Sequence, residues 1–138
     1  MCALRLSVTR SMRSERQAQA LQSIELHAGE ARRFIGLMTR EQFREDRRTF
    51  HAVTRCLEII SEATRRLTDE LKARHPDIPW RDIADAGNVY RHDYDNVAAD
   101  FVHKTVTHDL TNILAMARIE FERLSLRGSG RAGGGSDA

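Results

Sequence analysis

Apolar residues early in the chain recur in steps of three and four: Leu21, Ile24, Ala28, Ala31, Ile35 and Met38. That spacing lays one stripe along a helix and predicts a first helix from about Gln17, with Gly29 and Gly36 weakening it modestly. Helical patterning begins just after Met12, so residues 1–12 are expected to form a loose extension, and Met12 is an alternative start to Met1. Thr39-Arg40-Glu41-Gln42 has the form of a capping box, and Met38 and Phe43 stand at the staple positions around it. A short, fixed turn between two antiparallel helices follows. The second stripe is Phe43, Phe50, Val53, Leu57, Ile60, Thr64, Leu67 and Leu71, which predicts one long helix. Lys72, Arg74 and His75 suit its C-terminus, and Pro76 stops it.

Ile78-Pro79-Trp80 opens a third, shorter helix with proline near its first turn, and Trp80, Ile83, Ala84 and Gly87 share a face. It is expected to run to about His92, followed by an Asx-rich turn, Asp93-Tyr94-Asp95-Asn96. Asn96 can cap a fourth helix with the stripe Val102, Val106, Leu110, Ile113, Ala117, Phe121 and Leu124. Beyond Arg127 the chain turns to glycine and serine, a flexible tail over 127–138. The expected architecture is all-α: a bundle over 13–126 of three longer helices and a short one.

Composition narrows this only a little. The 138 residues are 41% hydrophobic and 30% charged, enough for one domain with a real core. Cys2 and Cys56 have neither metal nor disulfide spacing, and Cys56 sits inside a helical stripe as a small hydrophobe. No apolar run approaches a membrane span and the first residues make a poor signal peptide, so the expected location is the cytoplasm, without membrane contact. The net charge of +2 does not announce a nucleic-acid binder. The cations are nonetheless almost all arginine, only Lys72 and Lys104 being lysine, and arginine suits planar contact with phosphate.

Several segments carry a family resemblance. They are Arg47-Arg48, then Cys56 to Ala63, Ile78-Pro79-Trp80-Arg81-Asp82-Ile83, Gly87 to Tyr94, and Thr107-His108-Asp109-Leu110. Over about residues 13–124 the chain resembles the HepT-like branch of the HEPN superfamily. The resemblance implies a HEPN-like helical bundle in which the short helix carries the motif, and a homodimer. It also implies a ribonuclease toxin of a toxin–antitoxin module, acting on RNA (tRNA among the candidates) without metal or other cofactor. The partner implied is an MntA-like nucleotidyltransferase antitoxin that adenylylates the tyrosine matching Tyr94. In the family an arginine directly precedes the asparagine matching Asn88, with the histidine of His92 and the tyrosine of Tyr94 following at fixed distance. Here that arginine is Gly87.

The chemistry of the residues fits such a site. Metal-free RNA cleavage needs an acid/base near neutral pH and positive charge on the phosphate oxygens, the work of histidine and arginine. Asn88 and His92 are four apart and share a helix face. Arg91 is four beyond Gly87, and its side chain leans back over that position, which makes it the candidate phosphate clamp. The guanidinium also favours a neutral His92, suited to act as base. Asn88 would orient. An alternative reading of Gly87 is a catalytically silent subunit that binds the nucleotidyltransferase and is modified by it. Arg44, Arg47 and Arg48 are candidates for contact with RNA or a partner, or belong to a solvated face. Glu58 with Glu62, and Asp100 with His103, could be read as metal ligands. The Glu-x-x-His motif of di-metal bundles is absent, and pairing with arginines is the expectation.

Overall fold

The structure is a computed structural model that describes the backbone of residues 2–89 and 96–129, and side chains over 12–85 and 96–128. Every regular element among the described residues is helical. Helix α1 spans Cys2–Ile35, and its stripe of Leu21, Ile24, Ala28, Ala31 and Ile35 is buried. The helix therefore starts well ahead of the expected position, through the segment read as a loose extension. It ends at Gly36, whose φ of 54° places it in the left-handed region where glycine has no Cβ to clash. Gly36 N–H returns to the Arg32 carbonyl at 2.9 Å, so this glycine terminates the helix rather than weakening it.

The capping box forms as expected: the Gln42 N–H donates to Thr39 Oγ1 at 3.2 Å, and the Thr39 N–H donates to Gln42 Oε1 at 2.9 Å. The single long helix expected beyond it is instead three. Helix α2 covers Arg40–Glu45, α3 Arg47–Arg65 and α4 Asp69–Ala73. Asp46 breaks the first join, because its carboxylate accepts from the Thr49 N–H at 3.0 Å and from the Thr49 hydroxyl at 2.9 Å. These bonds hold the Asp46 carboxyl below the ordinary aspartate range, the Thr49 N–H being the main cause. Thr68 makes the second break by capping Leu71 N–H at 3.2 Å. In each case a local side-chain cap wins over an apolar repeat that runs straight through.

Helix α5 spans Trp80–Val89 and α6 spans Asn96–Lys104. A π-helical turn over Thr105–Asp109 joins α6 to α7, Leu110–Ser129. The Thr105 hydroxyl donates to the Phe101 carbonyl and the Thr107 hydroxyl to that of His103, each at 2.8 Å, feeding donors into the widened turn. The fourth helix of the expectation is thus present with a wide turn inside it, and Val102, Val106, Leu110, Ile113 and Ala117 are buried along it.

Helix α1 is the spine. Its Gln17 side chain accepts from the Thr68 N–H and its Glu30 approaches Cys56, so α3 runs antiparallel to it. Arg118 donates to Glu25 at 3.1 Å and Arg32 bonds Thr111, so α7 runs antiparallel on another side. Packing of α5 against α3 completes the bundle. Cys56 lies in this core, and burial pushes its thiol up, which leaves it unreactive. Among the described residues no helix is long and apolar enough to cross a membrane.

Candidate functional site

Helix α5 leads into the motif, and contacts at both of its ends fix it. Ile78 is buried just ahead of it. The Trp80 indole N–H donates to the carbonyls of Lys72 at 3.1 Å and His75 at 3.0 Å, closing the C-terminal end of α4. Lys72 Nζ lies 6.0 Å from the indole centroid on the same side. Near the end of α5, the Ala84 carbonyl accepts from Ser61 Oγ at 3.1 Å and from Arg65 Nη2 at 2.9 Å. The Ile-Pro-Trp element and the Ser61-to-Arg65 turn of α3 together set where α5 points.

Below this platform sits a group the sequence reading did not single out. Glu120 of α7 is 1% exposed, and the Arg74 guanidinium grips it in a fork, Nε to Oε1 at 3.1 Å and Nη2 to Oε2 at 2.8 Å. The His75 Nε2 donates to Oε1 at 2.7 Å. The Arg74 guanidinium, against the opposing pull of burial and with help from His75 and Arg123, holds this carboxyl down at about 2. Arg74 and His75 thus bind a buried anion rather than simply closing a helix end. The signal was available: Glu120 follows Ile113 and Ala117 on the apolar stripe, and a carboxylate there requires a buried partner.

Asn88 falls in the last turn of α5, its side chain outside the described residues; Arg91, His92 and Tyr94 lie outside them entirely, as does the Asx turn expected over 93–95. The three arginines read as contacts for RNA or a partner are placed differently from one another. Arg44 forms a two-pronged bond to Asp100, with Nε to Oδ1 at 2.7 Å, and ties α2 to α6. That bond raises the Arg44 guanidinium and holds the Asp100 carboxyl below its usual range. Arg47 lies 5.4 Å over the Phe50 ring, and Arg48 is exposed. Of the carboxylates considered as metal ligands, Glu58 pairs with Arg55 at 3.2 Å and Asp100 with Arg44. His103 Nε2 donates to the Met38 carbonyl at 3.0 Å, anchoring α6 to the α1–α2 turn.

Two open clefts flank the α6–π ridge. One, of about 400 Å³, has Asp82, Asp85 and Asp109 among its lining, a poor seat for a phosphate. The other, of about 510 Å³, carries Arg40, His103, Lys104 and His108 beside Glu41 and Asp100. Arg40, Lys104 and His108 come from different elements, and only the fold brings them to one cleft.

These features define an all-α bundle in which a short helix, α5, is pinned at both ends just ahead of the motif in sequence. The chain belongs to the HepT-like family of the HEPN superfamily: the family model described as Ribonuclease HepT-like matches residues 24–119, a span that includes the whole stretch from Gly87 to Tyr94. Among similar proteins is the "probable ribonuclease HepT" of Thermococcus cleftensis, 37% identical over 84 residues, 61% of this chain and 73% of that protein. A candidate RNase of Methanocaldococcus jannaschii is 29% identical over 91 residues, 66% of this chain and 72% of the relative. One from Caldanaerobacter subterraneus is 30% identical over 73 residues, 53% of this chain and 65% of the relative. No solved structure matches.

Proposed function

We propose that this chain is the toxin of a toxin–antitoxin module, a metal-independent RNA endonuclease of the cytoplasm that a nucleotidyltransferase antitoxin silences by adenylylating Tyr94. The observation that carries the reading is the family match over 24–119, within which Asn88, His92 and Tyr94 keep the family spacing. His92 takes the proton of the 2′-hydroxyl as its oxygen bonds to phosphorus. The bond from phosphorus to the 5′-oxygen breaks, and the histidine returns a proton to that leaving oxygen. Asn88 orients the imidazole and Arg91 meets the charge on the phosphate oxygens. A homodimer brings two such faces together over a shared cleft. Adenylylation of Tyr94 places bulk and negative charge beside this cationic site and blocks it.

Gly87 favours a second reading, a catalytically silent subunit that binds the nucleotidyltransferase and serves as its substrate. Expression in cells separates the two. The toxin reading expects growth arrest that His92→Ala abolishes and that the cognate nucleotidyltransferase relieves, with one adenylyl group on Tyr94 by mass spectrometry. Cleavage persisting in a clean His92→Ala preparation refutes the site, and absence of an adduct on Tyr94 refutes the mode of silencing.

A further inference from the structure

Arg65 stands on the last turn of α3, exposed to solvent, yet one end of its guanidinium is fixed on the Ala84 carbonyl at 2.9 Å. Ser61, one turn earlier and only 3% exposed, donates to the same oxygen at 3.1 Å. In a regular helix that carbonyl is the acceptor for the N–H four residues on, which is Asn88. The guanidinium therefore lies against the rung of α5 that carries Asn88. Positions 84, 87 and 88 share one side of that helix, and position 87 brings no side chain to it. Arg44, Arg55, Arg74 and Arg118 are each held by a carboxylate, Asp100, Glu58, Glu120 and Glu25 in turn, whereas Arg32 and Arg47, like Arg65, have none among the described residues.

We infer that Arg65 supplies from the neighbouring helix the guanidinium that the family carries at the position of Gly87, and that it contacts the non-bridging oxygens of the RNA phosphodiester under attack. A guanidinium has five donors in a rigid fork, so a bond from Nη2 to a carbonyl leaves an edge free for an anion. The carbonyl fixes that edge before substrate arrives, the condition under which such a donor stabilises a transition state most. Glycine at 87 is then the complement of Arg65, since a second arginine there would crowd the same charge into the same space. The inference rests on the reading of His92 as the acid/base.

The test is single-turnover cleavage of a labelled total tRNA pool and a labelled single-stranded RNA by the purified full chain. Wild type is compared with His92→Ala, Arg65→Gln, Arg91→Gln and the double variant Arg65→Gln/Gly87→Arg. Arg65→Gln should slow cleavage by roughly 10²–10³-fold. Melting should stay close to wild type, because Ser61 still holds the Ala84 carbonyl. Gly87→Arg in that background should recover at least tenfold of the rate, which restoring a merely structural bond to Ala84 would not do. Should Arg65→Gln unfold, Arg65→Lys takes its place, and a loss of tenfold or more with unchanged melting supports the role. Arg65→Gln within threefold of wild type, or no rescue by Gly87→Arg, overturns the inference while leaving the His92 reading intact; a loss at Arg91→Gln is the one the proposed function already expects. Wild-type chain with no His92-dependent cleavage overturns both.

Discussion

Replacing Glu120 by glutamine keeps the shape of the side chain and removes the charge on which Arg74 and His75 converge. Its carboxyl titrates at about 2 in the folded chain against an ordinary 4.5. That difference corresponds to about 3 kcal/mol of folding free energy. The folded value is depressed, so this stability is fully present above pH 4.5 and drains away as pH falls towards 2. The same size follows from a second route. Removing one partner of a buried pair costs ~3–5 kcal/mol, and Arg74, 28% exposed and 3.8 Å from Glu70, keeps enough solvation to sit at the lower end. Urea denaturation of wild type and Glu120→Gln at pH 7 should differ by about 3 kcal/mol, or roughly 10 °C in melting temperature. Repeating the comparison from pH 5 to pH 2.5 should bring the two curves together, because wild type loses what the variant never had. Curves that stay parallel across that range, or variants within about 0.5 kcal/mol at pH 7, refute the assignment of Glu120 as the ionised centre of the network.

Two further substitutions probe the scaffold of α5 and the core. Trp80→Phe removes the indole N–H from the Lys72 and His75 carbonyls and should cost about 1–2 kcal/mol in chemical denaturation. RNA cleavage by that variant should also fall, since the start of α5 loosens. Thr54 is 7% exposed and its hydroxyl has no hydrogen-bond partner among the described residues, so Thr54→Val should stabilise the chain by about 1 kcal/mol in the same assay.

The helical bundle was legible in the chain because burial has a period. Leu21, Ile24, Ala28, Ala31 and Ile35 were placed on a buried face by spacing alone, and they are buried. What periodicity could not show was where helices stop. Phe43 and Phe50 keep their rings 5.9 Å apart across a break that leaves the apolar repeat intact. The break is announced only by Asp46, three residues before the amide it caps. The wide turn before α7 left a fainter trace, the two successive four-residue steps from Val102 to Val106 to Leu110. At the site, resemblance supplied Asn88, His92 and Tyr94. Ser61 and Arg65, which brace α5, and Glu120, which holds Arg74 and His75 ahead of it, are distant in sequence, and only the folded chain brings them together. The three arginines grouped together from their nearness in sequence divide in space, Arg44 into a bond with Asp100 and Arg48 into solvent.

The Glu120 network has a consequence in time as well as in space. Synthesis proceeds from the N-terminus, so α3, α4 and α5 are complete before the carboxylate that anchors the α4–α5 junction has been made. Until α7 arrives and lies along α1, Arg74 and His75 have no buried anion to close upon, and the junction ahead of the motif stays solvated. A chain that stops short of α7 therefore has every residue of the motif and lacks its foundation, so the last long helix licenses what the middle of the chain encodes.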